Sequence, residues 1–257
     1  MNDVVVSGER LADRLDAVRV VDVRDAWEFD GIGHLPGAVN VPFDTFRSDD
    51  GEAGKLPGAD YFADLMESAG IGTDDRVVAY DDHHGVFAAR LLVTAELYGH
   101  DPSKLHLLDG DFSAWQRDHE TTSDAPTHEP TTYEATFDTD GPLIPMAAVR
   151  EAIDGGATLV DTRETQEYEE GHIEGAIRLD WRELVGDDRG MKPEATLRDL
   201  LAERDIHPED RIVLYCNTAR RISHTYTVLR HLDYPDLAVY EGSLTEWERE
   251  GGELVTE

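Results

Sequence analysis

The run Arg211-Ile212-Val213-Leu214-Tyr215-Cys216-Asn217-Thr218-Ala219-Arg220-Arg221-Ile222 passes from apolar, to small and polar, to cationic. The apolar residues Ile212 to Tyr215 predict a buried strand. It ends at Cys216, the single cysteine of the 257-residue chain. The segment Ile222 to His231 then predicts a helix, with Ile222, Tyr226 and Leu229 to Leu232 covering one face. Strand, short loop and helix N-terminus make a cradle, in which amide N–H groups converge where an anion or a thiolate is stabilised. A cysteine at that point is expected to ionise easily, to be reachable from solvent and to act as a nucleophile. Arg220 and Arg221 would add positive charge. The other reading of a lone cysteine is a buried structural residue. Ligands of open α/β sheets collect at the C-terminal ends of strands, which favours the reactive reading here.

Outward from this stretch, the chain repeats itself. Val20-Val21-Asp22-Val23-Arg24 returns as Leu159-Val160-Asp161-Thr162-Arg163, and Gly33-His34-Leu35-Pro36-Gly37-Ala38 returns as Gly171-His172-Ile173-Glu174-Gly175-Ala176. Arg76 to Asp81 returns as Arg211 to Cys216, and Gly110 and Trp115 return as Gly242 and Trp247. Between Asp22, His34, Asp81 and Trp115 and their counterparts the offsets are 139, 138, 135 and 132, a slow drift of the kind small loop changes produce. A period this long describes two copies of one domain and not a solenoid. The expected division is a first domain over 1–120, a Thr/Pro/Asp-rich linker over 121–134 and a second domain over 135–257. Strand and helix signals alternate within each copy. The expected fold class is therefore α/β, with a doubly wound parallel sheet flanked by helices in each domain.

Composition narrows the function. Acidic residues number 56 against 23 basic ones, a formal net charge of −33, which disfavours nucleic acid and anionic membranes as partners. Only Lys55, Lys104 and Lys192 are lysines; the other basic residues are arginines. The acid is spread along a chain with intact apolar periodicity, so disorder is a poor explanation. A folded protein kept soluble in concentrated salt is a better one, since repulsion at 1 M is screened within about 3 Å. No apolar run reaches membrane-spanning length, the start Met1-Asn2-Asp3-Val4 lacks a signal pattern, and the unpaired thiol suits a reducing compartment, so a cytoplasmic location is expected.

The two copies differ at one decisive position, where Asp81 stands in place of Cys216. Aspartate cannot carry sulfur chemistry, so the first copy is expected to be inactive, with Asp81 in a turn or capping role. Asp161 with Arg163 reads as a structural ion pair, and His172, duplicated as His34, reads as a turn-orienting residue. Trp115 and Trp247 read as core. Asp81, Asp82, His83 and His84 form a local cluster without a spaced partner, and no metal is expected.

The repeated Asp-x-Arg and Gly-His-[Ile/Leu]-x-Gly-Ala patterns, the strand ending in Tyr215-Cys216 and the closing Gly-x4-Trp resemble the rhodanese family of sulfurtransferases. The tandem form resembles thiosulfate and 3-mercaptopyruvate sulfurtransferases, over nearly the whole chain. The resemblance implies Cys216 as the nucleophile that carries a persulfide. It implies a substrate loop of Asn217, Thr218, Ala219, Arg220 and Arg221 whose amides hold the transferred sulfur. It implies a small anionic sulfur donor and a thiol or cyanide acceptor, with no cofactor. Three positions depart from the family's better-known patterns: Asn217 and Ala219 in the loop, and Glu167, which matches a position where the long enzymes often carry a substrate-binding arginine. These leave the donor open between thiosulfate and 3-mercaptopyruvate. A non-enzymatic sulfur carrier or regulatory module is the alternative. A cysteine phosphatase or arsenate reductase is a further one, against which Cys216 and Arg221 give Cys-x4-Arg and a smaller loop than phosphate needs.

Overall fold

The structure is a computed structural model that describes residues 3–48 and 55–256. Met1 and Asn2, part of the segment read for a leader, lie outside the described residues. The chain divides into two compact units, one of Met1–Thr139 with Asp187–Gly190 and one of Asp140–Gly186 with Met191–Glu257.

In the first unit, strands β1 (Val5–Val6), β2 (Arg19–Asp22), β3 (Val39–Asn40), β4 (Val77–Tyr80) and β5 (Leu105–Leu108) form one parallel sheet in the order β1-β5-β4-β2-β3. Its helices are α1 (Gly8–Ala12), α2 (Ala26–Ile32), α3 (Ala59–Ser68), α4 (Val86–Leu97) and α5 (Phe112–Asp118). Side chains alternate across a strand, so Val20, Val78 and Tyr80 share a face. That face packs with Leu11 of α1, Phe29 of α2, and Phe112 and Trp115 of α5. The strands β4 and β5 are buried on both faces, as parallel strands between helix layers must be. Helix α4, apolar nearly all round, is buried along almost its whole length.

The second unit repeats the plan. Strands β6 (Thr158–Asp161), β7 (Ile177–Arg178), β8 (Ile212–Tyr215) and β9 (Leu237–Val239) are parallel in the order β7-β6-β8-β9. Leu143 bridges Val239 in parallel at the edge that β1 occupies in the first unit. The helices are α6 (Met146–Asp154), α7 (Thr165–Glu170), α8 (Glu194–Ala202), α9 (Arg220–His231) and α10 (Ser243–Arg249). Val149, Tyr168, Leu244 and Trp247 close the core over Leu159, Val213, Tyr215 and Ala238.

The duplicated motifs are framework. Arg24 grips Asp22 at 2.5 Å and donates to the Gly33 carbonyl at 2.7 Å; Arg163 does the same to Asp161 at 2.6 Å and Gly171 at 2.7 Å. Both pairs are buried, and removing one partner of such a pair costs about 3–5 kcal/mol. The second-domain His172 stacks on Tyr168 with ring centres 3.7 Å apart, as His34 does on Phe29 at 3.8 Å. Each histidine backbone also forms a two-way bridge to a later segment, His34 with Thr122 and His172 with Val255. These contacts give the histidines the turn-holding role expected from their recurrence. Among the described residues no helix is long and apolar enough to cross a membrane.

Candidate active site

Cys216 follows β8 directly, between the strand and the loop that leads into α9. The end of the sheet fixes it through its backbone. Its carbonyl accepts the Leu244 amide at 3.0 Å, and its amide donates to the Ser243 hydroxyl at 3.2 Å. The same hydroxyl lies 4.0 Å from Cys216 Sγ and 2.8 Å from the Tyr240 carbonyl oxygen. Ser243 is fully buried and sits at φ 50°, a left-handed conformation that a non-glycine residue adopts at a cost. Thr245 adds a bond from its hydroxyl to the Asn217 carbonyl at 3.1 Å. The start of α10 thus grips the cysteine and the first residue after it. Sequence reasoning missed Ser243 and Thr245; the closing Gly-x4-Trp motif that contains them was the available signal.

The loop turns sharply at Ala219, with φ 65° and ψ −23°. His84, at the matching place in the first unit, has φ 59°. Both copies therefore need a left-handed residue here, which glycine supplies with least strain. Ala219 is buried, Thr218 is exposed, and Asn217, Arg220 and Arg221 are half-buried.

Glu167, in the first turn of α7, ties this loop together. One carboxylate oxygen accepts Asn217 Nδ2 at 2.7 Å, and the other accepts Arg221 Nη1 at 2.5 Å and the Glu164 amide at 3.2 Å. Burial pushes the Glu167 pKa up, but the bonds from Arg221, the Glu164 amide and Asn217 more than offset it and hold the group below its usual 4.5. The charge of Arg221 is therefore already met by a carboxylate, whereas sequence reasoning assigned it to substrate. The contact spans 54 residues of sequence, so no local pattern could reveal it.

The first unit shows what such a loop holds when its strand ends in a carboxylate. Asp81 accepts four backbone amides, from His83 at 2.7 Å, Gly85 at 2.8 Å, Phe87 at 2.7 Å and Ala88 at 3.1 Å. The matching amides around Cys216 belong to Thr218, Arg220, Ile222 and Ser223. Two of these turn to carbonyls, Arg220 to Thr218 at 2.9 Å and Ser223 to Ala219 at 3.3 Å. The carboxylate of Asp81 is thus spent on its own loop, a fuller role than a single cap.

One expectation fails in this conformation. Cys216 is only 1% exposed, so the sulfur is not open to solvent as a reacting thiolate must be.

A family description of the rhodanese-like domain matches residues 7–118 and again 146–250. A protein of Haloferax volcanii is 32% identical over 273 residues, covering 95% of this chain and 93% of the relative. The thiosulfate sulfurtransferase of Corynebacterium glutamicum is 34% identical over 275 residues, covering 95% of this chain and 87% of the relative. Among solved structures, SseA from Escherichia coli, described as a 3-mercaptopyruvate sulfotransferase with the rhodanese fold, superposes with a TM-score of 0.83 at 23% identity. That match covers 94% of this chain and 98% of SseA, and it shows the fold.

Proposed function

This chain belongs to the rhodanese family, with two rhodanese-like domains in tandem, and from that premise we propose that it moves sulfane sulfur through a persulfide on Cys216. It is a sulfurtransferase of the thiosulfate sulfurtransferase type, as the C. glutamicum relative is named. The donor is thiosulfate or 3-mercaptopyruvate, and the acceptor is cyanide or a thiol.

The chemistry balances without an outside oxidant or reductant. With thiosulfate, the Cys216 thiolate attacks the outer sulfur. The sulfur–sulfur bond of the donor breaks, and its electron pair leaves with sulfite. With 3-mercaptopyruvate, the thiolate attacks the thiol sulfur, the carbon–sulfur bond breaks, and its electron pair leaves with the enolate of pyruvate, which then takes a proton. Cyanide carbon or a thiolate then attacks the terminal sulfur of the persulfide, and the electron pair of that bond returns to Cys216 Sγ. This is covalent, ping-pong catalysis. The loop amides of Thr218 and Ile222, which match those of His83 and Phe87 around Asp81, would stabilise negative charge on the outer sulfur, and the Ser243 hydroxyl would do so beside Sγ. Since the thiol is buried, the loop from Asn217 to Arg221 must open to admit a donor. The first unit supplies no sulfur centre, because Asp81 fills its cradle. We further take the protein to be cytoplasmic and adapted to concentrated salt, on its charge of −33.

The observation that carries this reading is the place of Cys216 in the second copy of a loop whose first copy wraps an anion in four amides. Thiosulfate and cyanide supplied together in high salt should yield thiocyanate, and donor alone should add the mass of one sulfur atom to Cys216. Cys216→Ser should abolish both; turnover that survives this change refutes the assignment. A Thermus thermophilus relative, 30% identical over 269 residues, is named a sulfur carrier protein, which supports a second reading, a carrier loaded once and discharged only to a partner protein. A stable persulfide without thiocyanate turnover would favour that one.

A further inference from the structure

Glu167 engages both ends of the loop expected to bind the donor. Its two oxygens occupy Asn217 at the beginning of the loop and Arg221 at its end. The side chain of Arg221 is 16% exposed and that of Glu167 28%, so the pair is partly withdrawn from water, where charge interactions are strong. Glu167 belongs to a capping box at the start of α7, with the Glu164 amide on one of its oxygens. Helix α7 in turn is held by Tyr168, whose hydroxyl bonds the Ala176 carbonyl at 2.7 Å. The carboxylate can therefore release the loop, but the helix that carries it stays in place. An anion that takes Arg221 and Asn217 from Glu167 remains beside a negative charge.

We propose that Glu167 is the donor-selecting residue of the second unit. It acts as an internal counter-anion that a donor must displace from Arg221 and Asn217, and it selects against doubly charged donors such as thiosulfate in favour of singly charged ones such as 3-mercaptopyruvate. This rests on the persulfide reading of Cys216. The selection is electrostatic: each negative charge on the donor meets the same nearby carboxylate, so a dianion suffers the repulsion twice. The same carboxylate ties the two ends of the loop that follows a thiol only 1% exposed. Donor entry and loop opening are then one event, since both require Glu167 to let go.

The test is steady-state sulfur transfer to cyanide by the full chain at fixed, high ionic strength, with thiosulfate and 3-mercaptopyruvate as alternative donors. Glu167→Gln removes the charge and keeps one acceptor oxygen for the loop. We expect the KM for thiosulfate to fall roughly tenfold, the KM for 3-mercaptopyruvate to fall much less, and kcat to change little with either. An unchanged ratio of the two KM values would overturn the proposal. If the unmodified chain forms no persulfide on Cys216 with either donor, the persulfide reading itself has failed, a result that mass spectrometry separates from the first. Should Glu167→Gln not fold, the unmodified protein gives a second measurement. Pyruvate, a monoanion, should protect Cys216 from iodoacetamide at lower concentration than sulfate, a dianion of thiosulfate's shape. Equal or better protection by sulfate would count against selection by charge.

Discussion

The Ser243 hydroxyl accepts the Cys216 amide at 3.2 Å and stands 4.0 Å from Cys216 Sγ. It has one proton and two acceptors in reach, the Tyr240 carbonyl at 2.8 Å and the sulfur. With a neutral thiol the nearer carbonyl wins. When Sγ becomes anionic, a charge-assisted bond becomes the better use of the proton. Ser243→Ala should therefore lower kcat for sulfur transfer roughly tenfold or more, while costing about 1–3 kcal/mol of stability through the unpaired Cys216 amide and Tyr240 carbonyl. Donor KM should be unchanged, because the hydroxyl meets the cysteine and not the loop arginines. A variant with normal kcat would reduce Ser243 to a backbone anchor.

Asp81 invites the opposite experiment. Its buried carboxylate satisfies four amides, and removing it leaves donors that water must reach or that go unpaired. Asp81→Ala should cost about 3 kcal/mol in denaturant unfolding, and sulfur transfer per folded molecule should stay near normal. A loss of turnover matching that of Cys216→Ser would contradict the division of roles between the two copies.

The contrast between these residues marks how far sequence reasoning reaches. The strands were legible because buried parallel strands are continuous apolar runs, as in Ile212 to Tyr215 and Val77 to Tyr80. The duplication was legible because Asp-x-Arg and Gly-His recur, and the structure shows why they do: Arg163 and Arg24 each bridge a strand-end aspartate to a turn carbonyl. Of the site, local pattern made legible the contiguous run from Cys216 to Arg221, and the family resemblance singled out Glu167 without revealing its contacts to Asn217 and Arg221. Glu167 and Ser243 reach that loop from 50 and 27 residues away along the sequence, and packing alone determines such contacts. An open thiolate was expected and a buried one is found, with the Ser243 hydroxyl 4.0 Å from its sulfur.

Ala219 tests the backbone of the loop. A left-handed alanine carries a strain of about 1–2 kcal/mol, which glycine would relieve. Glycine in turn loses about 0.8 kcal/mol of methyl burial and roughly 0.5–1 kcal/mol to the entropy of its unfolded chain. These effects nearly cancel, so Ala219→Gly should shift stability by less than about 1 kcal/mol. Ala219→Val places a branched side chain in a left-handed, fully buried position and should destabilise by more than about 2 kcal/mol. Denaturation midpoints of the two variants decide the matter; a harmless valine would show that the loop does not hold this turn.

The Glu167 clamp predicts a signature in acid. Its folded pKa lies below the usual 4.5, because Arg221, the Glu164 amide and Asn217 outweigh the cost of burial. A depressed carboxylate pKa contributes stability that is fully present above the unfolded value and is lost as pH falls through the folded one. The contribution should thus be intact at neutral pH and disappear below 4.5. In Glu167→Gln the stability of the second unit should lose this acid-side slope, measured as denaturation midpoint against pH. An identical slope in both proteins would mean that the carboxylate is not engaged in solution.

The net charge of −33 makes the last prediction, and it concerns salt. At about 0.1 M ionic strength charges act over roughly 10 Å, and at 1 M over about 3 Å. Screening weakens attraction and repulsion alike, so the outcome depends on which dominates. The exposed ion pairs, such as Lys104 with Asp74, whose carboxylate is 98% exposed, contribute little to lose. The buried pairs Arg24–Asp22 and Arg163–Asp161 lie where ions cannot screen them. What remains is the repulsion among 56 acidic residues opposed by only 23 basic ones, and salt relieves it. The melting temperature should therefore rise on the order of 10 °C between about 0.1 M and about 2 M KCl, with most of the gain in the first molar. Activity with an anionic donor should rise over the same range, because the field that repels the donor is screened too. A melting temperature that falls as KCl is added would show that attractive surface pairs hold this fold together, and salt adaptation would have to be abandoned.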